Sequence, residues 1–277
     1  MTSSAPSSRV AALHRSIRTA LARRRPVFFL DYDGTLTPIV ERPEDAVLSE
    51  EMRTVLGRLA ARFPVAVVSG RGRPDVEERV GLPGLYYAGS HGFDIAGPPG
   101  AGGTEGAGVT HQAAADAVPV VEEVTGRLER ALAGFAGAQV EPKRFTVAVH
   151  YRRAAPEDVP RMEAVVDRLV AEHPGLRKAG GKKVWEIRPA LDWDKGKAVE
   201  WILRVILSRG DLAPEDALAI YAGDDDTDED AFRALRDHDP PGISILVTET
   251  PRPTAATHTL RDPDEVRALL ALLAPPP

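Results

Sequence analysis

The chain has 277 residues, 43% of them hydrophobic, enough apolar material for one large core or two smaller ones without a covalent staple. It contains no cysteine, which excludes disulfides, thiolate nucleophiles and cysteine-ligated zinc, and makes a reducing compartment, the cytoplasm by default, the expectation. A formal net charge of −6, with no apolar run near the ~20 residues that span a bilayer, points away from nucleic acid and membrane as partners.

Residues 1–8 read as disordered, and beyond them Val10, Leu13, Ile17 and Leu21 recur at helical spacing. Six arginines (Arg9, Arg15, Arg18, Arg23, Arg24 and Arg25) with no acid in the first thirty residues mimic a transit peptide. The helical pattern runs straight into the next strand, which leaves no room for cleavage. Residues 26–30 form a continuous apolar run that predicts a buried parallel strand with Asp31 at its carboxyl end. Ser49 predicts a helix N-cap, with Glu50 and Glu51 in the first turn and Met52, Val55, Leu56 and Leu59 on one face. Residues 64–68 predict a second strand, and the Gly/Pro/Ala-rich stretch 97–108 a linker or mobile loop.

The order then changes. A helix over 113–132, strands over 138–141 and 145–151, a helix over 156–172 and strands over 176–179 and 183–188 make one helix-strand-strand unit twice, which predicts a small open sheet under two helices. Alternation resumes with a helix over 195–208, a strand over 217–222, a helix after Thr227, a strand over 243–247 and a helix near Asp264. The expected fold class is α/β: a doubly wound, mainly parallel-sheet, Rossmann-like core (1–108 and 192–277) interrupted by an inserted α+β cap (109–191).

Four segments carry chemistry. In Asp31-Tyr-Asp33-Gly34-Thr35-Leu36, two carboxylates two residues apart at a strand end can face one site, one attacking while the other moves protons. A carboxylate with an ordinary pKa of ~3.9 is ionised at neutral pH and needs no base before it attacks phosphorus. Its difficulty is repulsion by the phosphate, which Mg²⁺ relieves by binding both groups. Gly34 permits a sharp turn whose following N–H groups, that of Thr35 first, can face the phosphate. Taken alone, the segment would equally suit an acidic turn after a strand. The run Gly223-Asp224-Asp225-Asp226-Thr227-Asp228-Glu229-Asp230 is a second acidic cluster at a strand end, and two like-charged clusters there imply a cation. Asp224 is assigned to the metal, Asp225 and Asp228 to a supporting layer behind it, and Thr227 with Asp230 to a capping box. Ser69-Gly70-Arg71 follows the second strand and can hydrogen-bond phosphate oxygens, although Ser-Gly there is more often only a turn. Lys195 at a helix start can offer a fixed charge to nucleophile and phosphoryl group, although a lone lysine there is usually solvated.

In this order the four segments resemble the haloacid dehalogenase superfamily of phosphatases. Gly89-Ser-His91-Gly92, Glu141-Pro-Lys143, Val149-His150-Tyr-Arg152, Gly181-Lys182-Lys-Val-Trp-Glu186-Ile-Arg188-Pro189 and Gly223 to Phe232 narrow the resemblance to the trehalose-6-phosphate phosphatase family, over about Val27 to Val247. It implies Asp31 as nucleophile, Asp33 as general acid/base, Ser69 and Lys195 as phosphate ligands, and Mg²⁺ held by Asp31, Asp224 and the Asp33 backbone carbonyl. It further implies that Glu141, Lys143, Lys182 and Glu186 contact the sugar.

Alternating Glu and Lys also suit vicinal hydroxyls on physical grounds, although paired charges on a solvated strand would look the same. Between Gln139 and Arg188 eleven Lys and Arg face seven Asp and Glu, so the cap is locally basic, suited to drawing in an anionic ester and closing over it. His91 with Gly92, His150 and Arg152 join the sugar candidates, although a solitary histidine is more often structural. In the expected mechanism Asp33 starts protonated, donates to the leaving oxygen, and then activates water. A phosphatase acting on sucrose phosphate or a phosphoglycerate glycoside, a silent sugar-phosphate sensor, and a phosphotransferase sharing the nucleophile are the rival readings. The expected partner is a small sugar phosphate, and a monomer is compatible with the sequence.

Overall fold

The computed structural model describes residues 6–100, 108–181, 183–210 and 212–274. The predicted sugar ligand Lys182, most of the predicted linker (101–107) and the first five residues lie outside them. The first amphipathic segment forms α1 (Ser8–Ala20), capped by the Ser7 side chain, which accepts from the Val10 N–H, and its buried stripe is Val10, Leu13 and Ile17. Then follow β1 (Arg25–Leu30), α2 (Glu50–Ala60), β2 (Val65–Val68), α3 (Arg73–Val80), β3 (Tyr86–Gly89), β4 (Asp94–Ala96) and β5 (Thr110–Gln112). The middle of the chain supplies α4 (Val118–Leu132), β6 (Gln139–Pro142), β7 (Val147–His150), α5 (Val159–Ala171), β8 (Leu176–Gly181) and β9 (Val184–Pro189). The last third supplies α6 (Lys195–Ser208), β10 (Ala217–Gly223), α7 (Asp228–Asp237), β11 (Ile243–Val247), β12 (His258–Leu260) and α8 (Pro263–Leu273).

Two compact units result, one of Met1–His111 with Trp193–Pro277 and one of Gln112–Asp192, where the sequence-based division falls at 108/109 and 191/192. The larger unit is built on an eight-stranded sheet ordered β12-β11-β10-β1-β2-β3-β4-β5. Its strands run parallel from β12 to β3, and β4 turns back antiparallel to β3. Because side chains alternate along a strand, β1 feeds both faces. Phe28 and Leu30 pack with α1, α2, α3 and α8 on one side, while Val27 and Phe29 pack with α6 and α7 on the other. All four are essentially fully buried, each contributing about 1.5–3 kcal/mol relative to exposure. This is the doubly wound core the pattern predicts. Helix α3 and strands β3, β4, β5 and β12 add to the predicted elements.

The smaller unit is the predicted pair of helix-strand-strand repeats, α4-β6-β7 and α5-β8-β9, folded into an antiparallel sheet ordered β6-β7-β9-β8. Val147, Val149, Trp185 and Ile187 pack with the apolar stripes of α4 and α5. The alternate residues face the other way. In register, Glu141 pairs with Ala148 and Ala148 with Glu186, so Glu141, Lys143, Thr146, His150 and Glu186 share the helix-free face.

Candidate active site

Strand register places the chemistry. Leu30 pairs with Ala222 on one side and Val67 on the other, so the carboxyl ends of β1, β10 and β2 lie side by side where strand order reverses, the crevice in which open α/β sheets bind ligands. Asp31 leaves β1 there, its N–H donating to the Ala222 carbonyl at 2.9 Å. Its carboxylate is buried and accepts from Lys195 Nζ at 2.8 Å. Lys195 is the first residue of α6, after an Asp194 cap that accepts from the Lys197 N–H, and is itself buried.

Asp228 is fully buried and saturated. Its Oδ1 accepts from Lys195 Nζ at 2.7 Å and from the Tyr221 hydroxyl at 2.6 Å, and its Oδ2 from the N–H groups of Asp224 and Asp225 at 2.9 and 3.0 Å. It anchors the lysine and shapes the turn that carries Asp224. Asp225 caps α7: its Oδ1 accepts from the Thr227 hydroxyl and the N–H groups of Thr227 and Asp228. The capping box expected of Thr227 with Asp230 is therefore absent, since the Thr227 side chain turns back to Asp225. Burial alone would raise the Asp225 pKa, but Lys195 and the Thr227 hydrogen bond hold it below its ordinary value.

One carboxylate oxygen each from Asp31, Asp224 and Asp228 lie within 4.8 Å of one another. Burial pushes the Asp31 carboxyl well above the usual range, an effect Lys195 opposes and Asp228, Asp224 and Asp225 reinforce. On Lys195, desolvation acts downward, but Asp228 and Asp31 hold its pKa well above the ordinary value, so it is a cation. Four carboxyl groups crowd around a single ammonium, and the upward push that Asp228, Asp224 and Asp225 exert on Asp31 is the mutual repulsion that a divalent ion with oxygen ligands would relieve. Asp228 is the least able to turn an oxygen to such an ion, because each oxygen already accepts two bonds. Gly34 is the other half of the fit: its φ is +81°, and a Cβ there would lie 2.4 Å from the Asp224 carboxyl carbon, so only glycine lets that carboxylate reach the first loop.

The turn after Asp31 uses most of its own donors. The N–H of Gly34 goes to the Thr37 carbonyl, and those of Leu36 and Thr37 go to the Tyr32 carbonyl. Gly34 thus shapes the turn rather than offering its N–H, and Thr35 brings to it a buried hydroxyl with no hydrogen-bond partner among the described residues. At the end of β2, Ser69 is buried, its Oγ accepting from the Arg71 N–H at 3.1 Å. The loop after β3 locks onto this turn, with Ser90 and His91 N–H groups donating to the carbonyls of Arg71 and Ser69. Ser90 and His91 both take left-handed backbone (φ 49° and 56°), a strained pair for non-glycine residues. His91 fills the space beside Gly70, where a Cβ would lie 2.9 Å from its Cε1. Gly92 is packed against Ala198, and its carbonyl accepts from Trp193 Nε1 at 2.8 Å.

Arg71 and Asp33 are found together. Nε donates to Asp33 Oδ2 at 2.7 Å and Nη2 to Oδ1 at 2.8 Å, a bidentate fork. The residue grouped with the phosphate ligands is thus committed to the residue expected to start the reaction protonated.

In the smaller unit His150 Nε2 meets Glu141 Oε2 at 2.7 Å, while Lys143 and Thr146 donate to Glu186 Oε1 at 3.3 and 3.1 Å. Lys143 also lines a cavity of about 320 Å³ with Glu122, Thr125 and Glu129. Arg152 is exposed in the turn after β7. Sequence reasoning missed Tyr221, which reads as one more apolar strand residue, and Arg252, whose Nη2 donates to the Asp224 carbonyl and Nη1 to Asp226. No sequence signal marks either. No helix among the described residues is long and apolar enough to cross a membrane.

A family profile described as trehalose-phosphatase matches residues 29–266. A trehalose 6-phosphate phosphatase of Zea mays is 47% identical over 254 residues, spanning 90% of this chain and 69% of that protein. Among solved structures, the C-terminal domain of a C. albicans trehalose-6-phosphate phosphatase aligns with a TM-score of 0.72 at 24% identity, over 99% of each chain. A haloacid dehalogenase-like hydrolase from Bacteroides thetaiotaomicron aligns with a TM-score of 0.59 at 14% identity, over 90% of this chain and 99% of that one. Both structural likenesses concern the fold.

Proposed function

Because this chain belongs to the trehalose-phosphatase family, we propose that it hydrolyses trehalose 6-phosphate to trehalose and phosphate, using Mg²⁺ and a transient aspartyl phosphate, an acyl phosphate, on Asp31. The observation that carries the reading is the convergence of Asp31, Asp224 and Lys195, from three distant segments, on one strand-end crevice.

Asp31 attacks phosphorus in line, forming a bond from its carboxylate oxygen while the bond from phosphorus to the sugar oxygen breaks. Asp33 gives its proton to the departing sugar oxygen. In the second half Asp33 takes a proton from water, whose oxygen bonds to phosphorus as the bond to Asp31 breaks, restoring both carboxyl groups. Lys195 fixes the orientation of Asp31 and balances charge on the transferring group. The Ser69 hydroxyl and the Thr35 side of the first turn bind phosphate oxygens. When bound by Asp31, Asp224 and the Asp33 carbonyl, Mg²⁺ supplies positive charge to the phosphate and lowers its repulsion of the nucleophile. Glu141, Lys143, His150 and Glu186, already joined on one sheet face, contact the sugar, with Lys182, Arg152 and His91 as further contacts.

The test is phosphate release from trehalose 6-phosphate, with and without Mg²⁺, beside sucrose phosphate, a phosphoglycerate glycoside and monosaccharide phosphates. Preference for trehalose 6-phosphate with an absolute Mg²⁺ requirement is expected, and activity confined to monosaccharide esters would overturn the substrate. Asp31→Asn should fold and release no phosphate; unchanged turnover in that variant would overturn the covalent route.

A further inference from the structure

The guanidinium of Arg71 is held on every side. Besides the two bonds to Asp33, Nη2 donates to the Pro43 carbonyl at 2.8 Å and Nη1 to Asp75 Oδ2 at 3.1 Å, so four of its five N–H groups are engaged. The Tyr32 ring lies 5.4 Å from its central carbon. Asp75 is braced in turn by Arg79 Nε at 2.8 Å, and Arg79 Nη1 donates to the carbonyls of Glu44 and Ala46. The chain Asp33-Arg71-Asp75-Arg79 thus ends on the backbone of the turn that follows the nucleophile loop. Burial alone would lower the Arg71 pKa, but its bonds to Asp33 and Asp75 keep it above the ordinary value. The Arg71 side chain is only 10% exposed, which is not the pose of a fork presented to an incoming phosphate.

Asp33 is different: its side chain is 35% exposed, and among the described residues Arg71 is its side-chain partner. A carboxylate offers about four lone-pair directions, and the fork uses one on each oxygen, leaving the outward ones toward solvent. Without the fork, two side-chain torsions of a half-exposed aspartate would be free. Proton transfer tolerates roughly 0.5 Å and 10–20° of error in the donor group.

We propose that Arg71 is the positioning residue for the acid/base Asp33, holding the plane of its carboxyl group toward the leaving oxygen, and is not itself a phosphate ligand. The inference rests on the mechanism above, in which Asp33 protonates the leaving group.

The two roles separate by leaving group. The first bond-breaking step, read by kcat/KM, needs a proton for a sugar or phenol leaving group but little help for p-nitrophenolate. In Arg71→Ala, kcat/KM should fall about 10²-fold for trehalose 6-phosphate and clearly for phenyl phosphate, yet stay within about threefold for p-nitrophenyl phosphate. Inhibition by inorganic phosphate should stay at its wild-type value, and slowing of the second, Asp33-dependent half should lower kcat and KM together, leaving kcat/KM for the p-nitrophenyl ester intact. Arg71→Lys, a point charge without a fork, should rescue only partly. Should Arg71→Ala fail to fold, Asp75→Asn loosens the guanidinium while leaving Asp33 its two bonds, and should give the same selective loss at smaller size. A uniform fall across all three esters with weaker phosphate inhibition would overturn the proposal in favour of a phosphate ligand, and an unchanged profile would overturn it outright. If the wild type ignores trehalose 6-phosphate, the substrate reading fails, while the contrast between the two aryl esters still tests Arg71.

Discussion

Replacing Gly34 with alanine tests whether the first and last acidic segments meet around a shared ion. The new Cβ would lie 2.4 Å from the Asp224 carboxyl carbon and from one of its oxygens, and 2.8 Å from the other. Ordinary carbon contacts begin near 3.5 Å, so the Asp224 carboxylate must retreat by about 1 Å, a misplacement that lowers turnover about 10²-fold at a well-ordered site. The backbone adds its own strain: φ is +81°, where a non-glycine residue is less stable by about 1–2 kcal/mol. Gly84 separates the two effects, because its φ is +86° and nothing lies within 4 Å of a Cβ placed there. Both variants should melt earlier by similar amounts. Only Gly34→Ala should lose turnover by about 10²-fold and need more Mg²⁺ for half-maximal activity, while Gly84→Ala stays within about twofold in both. Phosphate-release kinetics across a Mg²⁺ titration, beside thermal melting, measure each part. A Gly34→Ala enzyme with the activity and Mg²⁺ response of Gly84→Ala would refute the reasoning.

Asp228→Ala removes the acceptor of four hydrogen bonds in a fully buried site and should destabilise the fold by about 3 kcal/mol in denaturant unfolding; a loss below about 1 kcal/mol would contradict its anchoring role. Asp262 caps α8, its Oδ1 accepting from the Glu265 N–H at 2.9 Å, so Asp262→Ala should lose about 1 kcal/mol. Burial acts upward on the Asp262 carboxyl, but the Glu265 N–H and Arg261 hold its pKa below the ordinary value. A group with a depressed folded pKa stabilises above its unfolded value, near pH ~4, and loses that contribution as pH falls through the folded value. The gap between wild type and Asp262→Ala should therefore shrink in acid, and a gap that widens there would be the wrong sign. Glu186→Gln weakens the hydrogen bonds from Lys143 and Thr146 on the smaller sheet, and should raise KM for trehalose 6-phosphate about tenfold while leaving p-nitrophenyl phosphate unaffected. Equal changes for both substrates would remove Glu186 from the sugar contacts.

The long elements were legible because their signals are local. The run Val27 to Leu30 announces a buried strand, and Met52, Val55, Leu56 and Leu59 mark one helix face. Short pieces were not. Helix α3 offers only Val76 and Val80 as a buried stripe, and β4, β5 and β12 have three residues each, too few for any period to show. The Thr227–Asp230 capping box failed because Asp225, two residues before Thr227, takes both the Thr227 N–H and the Thr227 hydroxyl that the box would use.

The site divides the same way. The places of Asp31, Asp33, Ser69 and Asp224 after strands, and of Lys195 at a helix start, were readable from the few residues around each. Which charge meets which was settled only by tertiary structure. Lys195 lies between Asp31 and Asp228, Tyr221 completes the anchor, and the Arg71 guanidinium bonds to Asp33 and Asp75. Those choices follow from the parallel register of β1 between β2 and β10, which brings residues nearly 200 positions apart into hydrogen-bonding range. Periodicity and turn chemistry act over a few residues and are written in the chain; a buried charge finds its partner through the packing of the whole sheet, and no local pattern encodes it.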